Sequence, residues 1–202
     1  MVHETSQRPM NELTSLALEL QSFCEQRSWQ FCLIGGLAVQ HWGEPRFTKD
    51  VDMTLLTGFG NEEKFIDQWL ANYESRVTDA ANFAVCNRVL LLRSSAGIGI
   101  DIALGALPFE EGAITRAKQI ELEPGAFLRI CTAEDLIVMK AFADRPQDRH
   151  DLRGIIVRQG SGNLDWMYIW EQLTPLTEVK EAPEILAHLE MLLTAVRESE
   201  IS

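Results

Sequence analysis

No Cys-x-x-Cys pair occurs anywhere in the chain. Its four cysteines, Cys24, Cys32, Cys86 and Cys131, are far apart and have no histidine at zinc-ligand spacing, which excludes a zinc ribbon or a haem-attachment motif. They are expected to be buried thiols in a reducing compartment. His3, His41, His150 and His188 are equally scattered, which leaves carboxylates as the candidate ligands for any metal. Positive charge is also scarce: 18 Lys and Arg stand against 30 Asp and Glu in 202 residues, a formal net charge of −12. That excludes a polybasic membrane-surface role and a histone-like hold on nucleic acid, so any nucleic-acid contact has to be a local basic patch. No apolar run reaches the length of a membrane span, and Met1 to Glu12 has no signal-peptide core or cleavage site. A cytoplasmic protein with no membrane partner is expected. Repeats, low-complexity tracts and long polar linkers are missing as well, which excludes solenoids and widely separated domains.

What is present is a change of character near the middle of the chain. Asn11 to Arg27 carries Leu13, Leu16, Leu20 and Phe23 at roughly helical spacing. Phe31 to Ile34 is a short apolar run ending at Gly35-Gly36, the pattern of a buried strand meeting a tight turn, and Gly36 to Trp42 reads as a short helix. Asp50 to Leu56 alternates, with Val51, Met53 and Leu55 on one parity and Asp50 and Asp52 on the other. Asn61 to Tyr73 reads as a helix, and Arg88 to Arg93 with Ile98 to Leu104 as a strand pair joined by Ser94-Ser95-Ala96-Gly97. Phe127 to Cys131 reads as a last strand. From Thr132, the expected cap of a helix, the pattern is helical to the end, with breaks expected at Gly160-Ser161-Gly162 and at Pro175. An α/β core over residues 1–131 and a helical C-terminal part over 132–202 are therefore expected.

The chemistry concentrates between Phe31 and Leu55. Glycines at a strand-to-helix turn let a phosphate approach backbone N–H groups at the positive end of the helix dipole. Asp50 and Asp52, two apart on one strand, are about 6.5–7 Å apart along the backbone and share a face, so both can converge on divalent ions. Asp101 stands alone among apolar and small residues on a later strand, where a carboxylate is costly unless paired or metal-bound. Without a metal, an ion pair with Arg88 or Arg93 is the expected partner.

In order, Gly35-Gly36, the spacer Leu37 to Lys49, Asp50-Val51-Asp52 and the lone Asp101 resemble the signature of the DNA polymerase beta-like nucleotidyltransferase superfamily. Arg46 to Asp52, Glu134-Asp135-Leu136, Lys140 and Asp148-Arg149-His150-Asp151 are similar to the abortive-infection AbiE-type nucleotidyltransferase toxins and their small relatives. The resemblance covers roughly Ser28 to Tyr168 and implies an α/β (α+β) fold with a mixed sheet. It implies an enzyme that moves a nucleoside monophosphate from a nucleoside triphosphate to a hydroxyl with two Mg²⁺ ions. Asp50, Asp52 and Asp101 would hold the ions, with Asp101 also helping to deprotonate the acceptor. Gly35, Gly36, Arg46, Thr48 and Lys140 would bind the triphosphate, Lys140 taking a catalytic part. Many members have Ser where Gly36 stands, so some of the phosphate grip has to come from backbone N–H groups or Lys140.

The AbiE-type likeness implies RNA, such as the 3′ end of tRNA, as acceptor and an antitoxin as partner. RNA would need a basic patch around Lys140, Arg145, Arg149 and Arg153. The net charge of −12 favours instead a small cationic acceptor of the antibiotic kind. A third reading is a nucleotide-binding module that has lost the chemistry. Asp148 and Asp151 share a helix face, and the plainer reading of Lys140 and of these two is a solvated charged surface. Trp29, Trp42, Trp166, Tyr168 and Trp170 are expected to pack rather than stack on a base.

Overall fold

The computed structural model describes residues 11–201, so His3 and the rest of the leading segment lie outside it. Its strands are β1 (Phe31–Leu33), β2 (Asp50–Leu56), β3 (Glu74–Ser75), β4 (Val89–Arg93), β5 (Gly99–Gly105), β6 (Lys118–Glu123) and β7 (Ala126–Ile130). They form one seven-stranded sheet in the order β3-β4-β5-β2-β1-β7-β6. β2 runs parallel to β5 and β1 parallel to β7, while the other neighbours are antiparallel, so the sheet is mixed as expected.

The alternation predicted for β2 is what builds the centre of the sheet. Val51, Met53 and Leu55 are fully buried, as are Ile100 and Ile102 on β5, while Asp50, Asp52 and Asp101 fall on the opposite face. Burying each such aliphatic side chain contributes about 1.5–3 kcal/mol. Helix α1 (Glu12–Glu25) precedes the first strand, and α2 (Gly35–Trp42), α3 (Glu63–Leu70), α4 (Ala80–Asn87) and α5 (Pro108–Arg116) lie between strands in sequence. α1 is capped by Asn11, whose side chain accepts from the Leu13 N–H at 3.1 Å. Trp29 joins an aromatic cluster with Phe23, Phe65, Trp69 and Tyr73, and Trp42 donates its indole N–H to the Cys131 carbonyl at 2.8 Å, so both pack as expected.

After the last strand come α6 (Ala133–Ala143), α7 (Pro146–Gln159), α8 (Trp166–Lys180) and α9 (Glu184–Ile201), with a short 3₁₀ turn at Ser161–Asn163 where the Gly-Ser-Gly break was expected. Thr132 caps α6, its hydroxyl accepting from the Asp135 N–H at 3.2 Å. α2 packs against β2 and also against α6 and α7, so this short helix joins the sheet to the helical part.

Three expectations need correction. Pro175 does not end a helix: α8 runs through it, with Ile169, Leu173 and Thr177 buried along both halves of the element, and packing outweighs the missing N–H. Cys86 is exposed on α4, unlike the buried Cys24, Cys32 and Cys131, because α4 buries only Ala84. Asp101 is paired with neither Arg88, which goes to Glu62, nor Arg93, which lies at 4.0 Å from Glu74; its partner is Arg76.

Candidate active site

Three carboxylates meet at one end of the central strands. In the parallel β2–β5 pair Asp52 is registered with Asp101, and Asp50 with Gly99, so the three side chains leave the same face from adjacent strands. The turn after β1 closes this end. Gly35 has φ +59°, in the left-handed region, and a Cβ there would overlap the Asp52 carboxylate. The Gly36 N–H, in the first turn of α2, points at Asp52 Oδ2 at 3.3 Å. A Cβ on Gly36 would overlap the Thr48 side chain, and the Thr48 hydroxyl donates to Asp50 Oδ1 at 3.1 Å. Gly35, Gly36, Thr48, Asp50, Asp52 and Asp101 are thus brought together at this end of the sheet.

Burial pushes the Asp52 carboxyl up to about 6, helped by the negative charges of Asp50 and Asp101 and opposed by the Gly36 N–H and Lys140. Asp101 is also raised, by burial first and by Asp50, against the pull of Arg76. Carboxylates crowded on one face of adjacent strands form a hard-oxygen donor set whose like charge a divalent cation relieves, so the residues present fit Mg²⁺. Among the described residues no three His, Cys, Asp or Glu side chains already close on a single point as a metal cluster; Asp101 is paired with Arg76, and Asp52 accepts from the Gly36 N–H.

The basic side of the site is arranged differently from the sequence expectation. Lys140 is 7% exposed, and its ammonium sits between Asp148 Oδ1 at 2.9 Å and Asp151 Oδ2 at 2.8 Å. Arg46 holds Asp151 with two bonds of 2.7 and 2.9 Å, and Arg145 holds Asp148 with bonds of 2.5 and 3.2 Å. Although burial raises Asp151, the bonds from Arg46, Lys140 and Gln147 outweigh it and bring its carboxyl to about 2. Asp148 and Asp151 are therefore not a solvated helix face; they are the buried centre of a five-residue charge knot tying α6 and α7 to the loop before β2. The knot is near enough to Asp52 for Lys140 to favour its ionised form and for Asp52 to raise Arg46 and Arg145.

Two contributions escaped sequence reasoning. Arg76 comes from a segment, 74–87, in which no element had been assigned, and nothing local marks it as a partner of Asp101. Asp135, fully buried, accepts from Tyr168 at 2.7 Å, Thr132 at 2.8 Å and Arg116 at 2.5 Å, which fixes α6 against α5 and α8. The Thr132-to-Asp135 spacing was readable as a cap, but the long-range partners were not.

A strand-to-glycine turn, paired aspartates on a central strand and a third aspartate on its parallel neighbour are the frame of a nucleotidyltransferase. The chain belongs to the family described as "Nucleotidyltransferase of unknown function (DUF6036)", whose model matches residues 11–184, and it is a nucleotidyltransferase enzyme by that membership. Among solved structures, an antigenic nucleotidyltransferase-like protein from Paracoccidioides brasiliensis is similar at TM-score 0.51 and 16% identity, over 89% of this chain and 92% of that one. The complex of ANT(2″)-Ia with adenylyl-2″-tobramycin is similar at TM-score 0.51 and 15% identity, over 94% of this chain and 99% of that one. The solution structure of the same antibiotic-resistance factor gives TM-score 0.50 at 14% identity, over 93% and 92%. At such identities the likeness is one of fold. No curated protein matches the sequence.

Proposed function

We propose that this enzyme moves a nucleoside monophosphate from a nucleoside triphosphate to a hydroxyl of a small cationic acceptor, with Asp50, Asp52 and Asp101 as the ligands of two Mg²⁺ ions. The observation that carries the chemistry is the Asp52–Asp101 register pair with Asp50 beside it, set against the Gly35-Gly36 turn. The ions, when bound, neutralise the triphosphate and the departing pyrophosphate. The chain itself supplies the rest. Gly35 and Gly36 keep the turn tight against Asp52 and Thr48, and the N-terminus of α2 that they open carries the positive end of the helix dipole, where a phosphate would bind. Thr48 orients Asp50. Asp101 takes the proton of the acceptor hydroxyl as its oxygen bonds to the α-phosphorus and the bond to the β-phosphate oxygen breaks. The Lys140–Arg46–Arg145 knot presents net positive charge behind Asp52, where it steadies the triphosphate at longer range.

The acceptor is read from the charges. An RNA or tRNA 3′ end, with an antitoxin as partner, is what the AbiE-type likeness implies, and it needs Lys140, Arg145, Arg149 and Arg153 as a free basic patch. Lys140 and Arg145 are bound by Asp148 and Asp151, and Arg149 by Asp144 at 2.7 Å, on a molecule of net charge −12. This supports a small cation over a polyanion. That one similar fold carries adenylyl-2″-tobramycin points the same way.

The test is incubation with each α-labelled nucleoside triphosphate and Mg²⁺, in parallel with an aminoglycoside panel and with total cellular RNA, beside an Asp50→Ala/Asp52→Ala control. Label in a small basic product that requires both aspartates is the expected result. Label in RNA instead would overturn the acceptor assignment, and label in neither, with nucleotide still bound, would support a binding module without chemistry.

A further inference from the structure

Arg76 directly follows β3 and extends its pairing, its backbone N–H donating to the Leu91 carbonyl on β4 at 3.0 Å. Leu91 is registered with Asp101 on β5, and Asp101 with Asp52 on β2. Arg76, Leu91, Asp101 and Asp52 therefore form one row across the sheet. Two strand spacings separate Arg76 from Asp101, about 10 Å, a gap that an arginine and an aspartate side chain together span. The guanidinium does reach across Leu91 to form an ion pair with Asp101.

Gly99, the register neighbour of Asp50, lies beside this pair: a Cβ there would stand 3.3 Å from Arg76 Nη1 and 3.3 Å from the Asp50 Cβ, so the guanidinium passes close over this glycine on its way to Asp101. Lys140, Arg46 and Arg145 are locked to the buried Asp148 and Asp151, whereas Arg76 and Asp101 are both half-buried, with side chains 31% and 30% exposed, and part at less cost.

We propose that Arg76 is a positioning residue that competes with the metal for Asp101, acting as a built-in counter-ion that a divalent cation displaces. The proposal rests on the metal-holding role given above to Asp50, Asp52 and Asp101. Once displaced, the guanidinium remains beside the site as a cation free to meet the anionic nucleotide. Arg76 thus sets how much metal is needed to assemble the site.

The test is a Mn²⁺ titration followed by electron paramagnetic resonance, without nucleotide, on the full chain and on Arg76→Gln, Asp101→Asn and the double variant. Loss of a partly exposed ion pair corresponds to about a two- to fivefold change, so Arg76→Gln should bind Mn²⁺ about two- to fivefold more tightly. In the Asp101→Asn background the same change should have no effect, which separates competition at Asp101 from a general loss of positive charge. Arg76→Lys, which keeps the charge but not the planar fork, should fall between. Unchanged or weaker binding by Arg76→Gln, or equal tightening with Asp101→Asn, overturns the proposal while leaving the metal site standing. If the wild type shows no Mn²⁺ binding that Asp50→Ala/Asp52→Ala removes, the metal reading and this proposal fall together.

Discussion

Burial beside Asp50 keeps a proton on Asp52 up to about pH 6, where the unfolded chain has already lost it near the ordinary 3.8. Over that window the folded state binds more protons, so stability falls as pH rises and the loss is complete above about 6. Asp52→Asn should accordingly raise the melting temperature of the metal-free protein at pH 7–8 and give little gain near pH 4, a pair of thermal scans in EDTA being enough to check it. Gly35 makes the opposite prediction. Its positive φ and its contact with Asp52 leave no place for a methyl group, so Gly35→Ala should cost about 1–3 kcal/mol in a urea titration and weaken nucleotide binding as well. Both residues were legible in the sequence, because a glycine pair and an Asp-x-Asp on an alternating strand state their chemistry locally. Arg76 was not, because its partner is chosen by the order in which three strands pair.

Among the elements, the ones with clear periodicity stand where the sequence puts them: β2, β5, the hairpin before it, and α6 behind its Thr132 cap. Those passed over are short or weakly patterned. β3 has two residues, β6 is half-exposed, and α4 buries a single alanine, so tertiary pairing rather than propensity defines them. α6 and α7 also show how a charged pattern misleads. Lys140, Asp148 and Asp151 have the spacing of a solvated surface, yet each is buried because its opposite charges are supplied from another element or turn. Removing one buried partner strands the others, so Asp151→Ala should destabilise the fold by about 3 kcal/mol or more in denaturant unfolding. The carboxyl of Asp151, near 2 in the fold, contributes stability above the ordinary 3.8 that disappears as pH falls toward 2; the Asp151→Ala deficit should shrink over the same range.

Taken whole, the molecule is an acidic shell around a site whose cations are mostly spoken for. A field of net charge −12 raises the local concentration of a cationic acceptor and repels a polyanion, and salt screens both effects. The KM for a cationic acceptor should therefore rise with ionic strength between about 0.05 and 0.5 M NaCl while kcat changes little, whereas an RNA acceptor would show no such attraction at low salt. Composition alone gave this sign; it could not give the pairing of Lys140, Arg145 and Arg149 with carboxylates. The most direct test of the account is equilibrium binding of a non-hydrolysable nucleoside triphosphate with and without Mg²⁺, to the wild type and to Asp50→Ala/Asp52→Ala. Binding that needs Mg²⁺ and is lost in the double variant is the result predicted, and binding indifferent to both the metal and the aspartates would contradict it.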